Sequence, residues 1–164
     1  MYRNLKVFFI SKRDTSQISE VIHKSWPENI IPKIKNLKVF EIEEGKRLLQ
    51  FEDFTAVQIN QNIILPFLSK LEILKYFPFV KVDMGAVKFI CNGAKVMRPG
   101  IVEFGVFKKG DIVTVKDQTH AKTLAVGIAL EDSESAFSKT NGLVIDNLHH
   151  ISDRFWEANK EIGL

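Results

Sequence analysis

The chain has 164 residues, 45% hydrophobic and 26% charged, which is the composition of one ordinary packed domain or two small ones and excludes a disordered class. No apolar run approaches the roughly 20 residues that a membrane-spanning helix needs. The net charge of +3 divides into +4 over residues 1–81 and −1 over residues 82–164, so any nucleic-acid binding must rest on a local patch.

Leu5–Lys12 is apolar and β-branched enough for a strand. Asp14–Thr15–Ser16, with Gln17 in capping-box relation to Asp14, predicts a helix start, and Ile18, Val21 and Ile22 share its inner face. Pro27 stops this helix, and Pro27–Pro32 reads as an irregular connection. Leu37–Glu43 and Lys46–Glu52 alternate about a tight Glu44–Gly45 turn, and Thr55–Ile59 and Asn62–Leu65 add two short strands. Pro66 then predicts the first position of a helix carrying Phe67, Leu68, Leu71 and Leu74, which Pro78 ends.

The second half has a different rhythm. A strand at Phe79–Val82 leads to Asp83, the N-cap expected for a helix over Met84–Asn92. Its inner stripe would be Ala86, Phe89 and Ile90, with Met84, Lys88 and Asn92 outward. Gly93 is placed to end the helix with a positive φ. Strands follow at Lys95–Met97, Ile112–Lys116, Thr123–Leu130 and Gly142–Leu148, a spacing that suits a small barrel or sandwich.

Catalytic signatures are missing. The glycines are too scattered for a nucleotide loop. No HExxH or CxxC framework surrounds His23, His120, His149 and His150, and the adjacent His149 and His150 would point to opposite strand faces. A single cysteine, Cys91, excludes an internal disulfide and reads as a small core residue. The basic start, Met1–Lys6, lacks the apolar stretch of a secretory signal, so a cytoplasmic protein is expected, with no catalytic residues, metal or cofactor.

One ordered pattern remains: V-D-x-G-A at 82–86, G-A at 93–94, P-G-I at 99–101, G-D-x-V-x-V at 110–115 and A-V-G at 125–127. It resembles the PUA domain, an RNA-binding module. The ending Asn147–Leu148–His149–His150–Ile151–Ser152–Asp153–Arg154–Phe155–Trp156 and the joining element Leu74–Lys75–Tyr76–Phe77–Pro78 resemble one subgroup. That subgroup is the malignant-T-cell-amplified-sequence proteins, their archaeal relatives and the N-terminal part of ligatin.

The resemblance implies an α+β protein. A small N-terminal α+β domain would occupy 1–78, a PUA β-pseudobarrel 79–157 and a C-terminal tail 158–164. It also implies a monomeric, non-enzymatic RNA-binding protein of translation, working in initiation, reinitiation or recycling. Its partners would be a tRNA 3′ end, small-subunit rRNA and a second translation factor with an initiation-factor-like fold, with no membrane. The expected site comprises Gly85, Ala86, Lys88, Asn92, Gly93, Ala94, Lys95, Arg98, Pro99 and Gly100. Small residues there admit an RNA end and leave amide donors at Gly93–Ala94, while the three cations meet phosphates. Phe155 and Trp156 read as plugs closing the barrel end. The alternatives are an RNA-modification enzyme or its specificity subunit, and a protein-interaction adaptor built on the PUA surface.

Overall fold

The computed structural model describes residues 5–31 and 33–163; the readings made on Met1–Asn4, Pro32 and Leu164 lie outside them. Strand β1 (Lys6–Phe9) ends earlier than expected, and helix α1 (Lys12–Ser25) starts at a different cap. Ser11, not Asp14, is the N-cap: its hydroxyl accepts the Asp14 N–H at 3.2 Å. Ile18 and Ile22 face inward as expected, and the helix stops at Trp26 before Pro27. A single 3₁₀ turn, Glu28–Ile30, occupies the irregular connection.

Strands β2 (Lys38–Glu43), β3 (Lys46–Gln50), β4 (Thr55–Asn60) and β5 (Ile63–Pro66) join β1 in an antiparallel sheet ordered β1-β2-β3-β4-β5. Here the helix expected from Pro66 is corrected. Pro66 pairs with Ala56 at the end of β5, and β5 is an edge strand where a missing N–H goes unneeded. Phe67 and Leu68 run on into the core, and only Leu71–Leu74 (α2) is helical, with Leu71 64% exposed.

The second sheet has the order β7-β11-β10-β9-β6-β8. Its strands are β6 (Phe79–Val82), β7 (Val96–Met97), β8 (Ile101–Phe104), β9 (Ile112–Asp117), β10 (Thr123–Ala129) and β11 (Leu143–His150). Strands β7 and β8 lie at opposite edges, yet only Arg98–Gly100 separates them. Six flat strands would hold those edges about 24 Å apart, whereas four Cα steps span at most ~14 Å. The sheet therefore curls into a nearly closed barrel, the α+β pseudobarrel architecture expected. Gly127 lets β10 touch β11 where their register shifts, since an added Cβ would overlap the Asp146 carbonyl oxygen. Strand β8 and helices α4 (Ser133–Ser138) and α5 (Arg154–Ile162) lie outside the elements that the residue pattern predicts.

Two apolar cores result. Val80, Val82, Ile101, Val113, Val115, Ala125 and Ile145 fill the barrel. The other core packs α1 against the first sheet but also takes Ile112, Val126, Phe155 and Ala158 from the second half. Phe155 and Trp156 thus plug the seam between the halves rather than the barrel end: Phe155 is buried there, and Trp156 stacks on Phe67 at 5.8 Å.

Candidate nucleic-acid interface

Asp83 organises the start of the motif. Its carboxylate accepts the Ala86 N–H at 2.9 Å, and its own N–H donates to the Gly100 carbonyl at 2.9 Å. The turn at 84–86 is thereby tied to the turn at 98–100. The helix expected over Met84–Asn92 is a 3₁₀ turn, Met84–Ala86, followed by one α-turn, Val87–Ile90 (α3). A 3₁₀ turn advances about 120° per residue, so inward positions extrapolated at 3.6 per turn slip out of phase. Ile90 remains inside, but Phe89, placed on the inner stripe, is 56% exposed.

Gly93 closes α3 with φ +91°, the left-handed conformation its position predicts. Its amide donates to the Ile90 carbonyl and that of Ala94 to Phe89, both at 3.0 Å. These amides complete the helix end and are not open to a ligand, contrary to the sequence reading. Strand β11 holds the same turn: Asn147 Nδ2 donates to the Ile90 and Ala94 carbonyls, at 3.0 Å each.

Between these turns lies a groove of about 450 Å³ with mainly apolar walls. Gly85, Ala86, Ala94, Lys95, Pro99 and Gly100, all expected in the site, line it together with Val82, Phe89, Ile90 and Met97. Lys88, also expected in the site, is exposed and not part of the lining, and its ammonium lies 5.3 Å from the Phe89 ring centre. Asn92 is exposed away from the groove lining, and Gly93 lines a different cavity. Arg98 turns elsewhere. Its guanidinium donates to the Ile101 and Phe137 carbonyls at 3.2 Å each and lies 4.9 Å from the Phe104 ring centre, which ties α4 to β8.

Phe89 and Met97, 52% exposed, are the groove residues that sequence reasoning overlooked. An aromatic ring and a thioether left facing water beside two lysines can take the face of an unpaired base. Burial raises the Cys91 thiol pKa, only partly opposed by nearby Lys122, so the thiol stays protonated at neutral pH. Among the described residues no group of three or more His, Cys, Asp or Glu could hold a metal ion. No helix there is long and apolar enough to cross a membrane.

Known proteins with this pattern place the chain. The PUA domain family model matches residues 78–151. An uncharacterized protein of Methanocaldococcus jannaschii is 33% identical over 92% of this chain and 95% of its own length. Translation machinery-associated protein 20 of Saccharomyces cerevisiae is 26% identical, with 82% and 78% covered. The crystal structure of a hypothetical protein from Pyrococcus horikoshii superposes with a TM-score of 0.77 at 31% identity, covering 93% of this chain and 99% of that one. The chain belongs to the malignant-T-cell-amplified-sequence family of PUA-domain proteins, which includes translation machinery-associated protein 20.

Proposed function

We propose that the protein binds RNA in translation, holding an unpaired RNA end in the Phe89–Lys95 groove. The observation that carries this reading is the groove itself: apolar walls, the exposed Phe89 ring, Lys95 in the lining and the Lys88 ammonium beside Phe89. A base stacks on Phe89 while its phosphates meet the lysines, and the close-set turns at Gly85–Ala86 and Pro99–Gly100 let the strand approach the main chain. The names of the relatives, one of them translation machinery-associated, support translation as the setting.

The finer reading puts the protein at the small ribosomal subunit with a tRNA acceptor end in the groove, in initiation, reinitiation or recycling. Residues 79–157 are the RNA-holding domain, and 1–78 supports it and meets rRNA or a second translation factor. The role is one of binding in the cytoplasm, without catalysis. Fluorescence anisotropy with intact tRNA and with tRNA lacking its single-stranded 3′ nucleotides tests this. Trimming should abolish most of the affinity, and equal affinity for both would refute the groove assignment.

A further inference from the structure

A second cavity of about 420 Å³ opens on the other side of the Gly93–Ala94 turn, between the two halves of the chain. Glu43 and Lys46 from the β2–β3 hairpin form one wall, and Gly93, His150 and Arg154 form the other. His150 has a defined tautomer. Its Nδ1 lies 2.8 Å from the Ile151 carbonyl oxygen, and because a carbonyl only accepts, Nδ1 carries the proton. In the neutral ring Nε2 is then an acceptor, and it lies beside Gly93: an added Cβ there would sit 3.2 Å from it. The glycine therefore keeps this acceptor uncovered.

The cations in the cleft come from both halves. Glu43 pairs with Lys46 at 2.9 Å and also with Arg154, whose side chain is 68% exposed. Of the groups left open one carboxylate faces two cations, while Asp153 brings the formal charge of the cleft to zero. Asp153, in the same wall, already accepts from His149, His150 and Trp156 and adds no open carboxylate. The groove and the cleft meet at adjacent residues, Ala94 lining one and Gly93 the other. Their Cα atoms are about 3.8 Å apart, less than the length of a nucleotide.

Resting on the RNA reading above, we infer that the cleft is a second subsite for the same strand. It takes the nucleotide preceding the terminal one, with the phosphate against Lys46 and Arg154 and the ribose 2′-hydroxyl donating to His150 Nε2. A hydroxyl next to a phosphate suits this pairing of acceptor and cations whatever the base, and it makes the site selective for RNA over DNA.

The test measures anisotropy of a short single-stranded RNA with a free 3′ end and of the same strand carrying one 2′-deoxy sugar at the penultimate position. The wild-type protein should bind the deoxy strand about threefold to tenfold more weakly, the range of one hydrogen bond. His150→Ala should bind both strands equally, at the deoxy level. Lys46→Ala with Arg154→Ala should flatten the salt dependence, and Glu43→Gln should steepen it. If Phe89→Ala weakens binding but the deoxy sugar has no effect, the second subsite is overturned and the groove stands. Sensitivity to a base amine in place of the sugar hydroxyl overturns it equally. If neither strand binds, or if binding ignores Phe89→Ala, the groove reading fails as well.

Discussion

His149 accepts the backbone N–H of Leu68 at its Nε2, 3.2 Å away and 81 residues earlier in the chain. The imidazole is fully buried between Phe67 and Phe155, and its Nδ1 donates to Asp153 at 2.7 Å. Asp153 also accepts from the His150 and Trp156 amides, so it caps α5 as well. One polar chain thus runs from the strand exit after β5, through the end of β11, to the last helix. It spans the seam between the halves, where a buried polar group must be fully paired.

Replacing His149 with Leu keeps volume but orphans the Leu68 amide and strips Asp153 of a donor. The expected loss is about 2–4 kcal/mol in a urea titration. A loss below about 1 kcal/mol would show that the seam relaxes without this link.

Burial pushes the Asp153 carboxyl pKa up, but the hydrogen bonds from His149 and from the His150 and Trp156 amides outweigh it, and the net shift is downward. A depressed folded pKa means the contribution is complete above the unfolded aspartate value of about 4 and is lost as pH falls through the lower folded one. Stability of Asp153→Asn should therefore lie below wild type at neutral pH and converge toward it under acid conditions. Parallel curves across that range would contradict the assignment.

Phe89→Ala should weaken binding of an unpaired RNA end by about 1–3 kcal/mol, the scale of one stacked base. Thermal unfolding should change little, because the ring is more than half exposed. Charge reversal at Lys88 and Lys95 together should lower affinity and flatten its salt dependence.

Gly93→Ala meets two obstacles, a φ of +91° and His150 Nε2 at 3.2 Å from the new Cβ. A loss of about 1 kcal/mol is expected from the backbone alone. Gly93→Val should be worse, since β-branched side chains tolerate that region least. Denaturant titration ranks the two, and binding measured on folded protein isolates any loss of RNA affinity.

Arg98→Ala should destabilise the fold by about 1–2 kcal/mol, by removing two hydrogen bonds to carbonyls and the packing against Phe104 and Phe137. Arg98→Lys should not restore it, as an ammonium cannot fork to two carbonyls while stacking on a ring. RNA affinity of the folded protein should be unaffected. A selective loss of affinity would return Arg98 to the RNA-binding surface.

Local chemistry determined much of this protein before any packing was considered. Alternation located the strands of the first sheet, Asp83 announced its cap, and the place of Gly93 after a helix required its positive φ. The ordered glycines and alanines of 82–101 likewise marked the groove, because close approach of backbones needs small residues wherever it occurs. Tertiary structure decided the rest. Whether Phe89 faced the core or water depended on a 3₁₀ turn that no periodicity displays, and Arg98 is held outside the groove lining by Phe137, 39 residues away, which offers it a carbonyl and a ring. Pro66 was a strand end only because β5 lies at an edge. His149 became the link between the halves only because Leu68 presents an amide to it across the seam. Contacts of that separation are set by where whole elements pack, and the free energy that selects them is spread over both cores rather than written in any short stretch of residues.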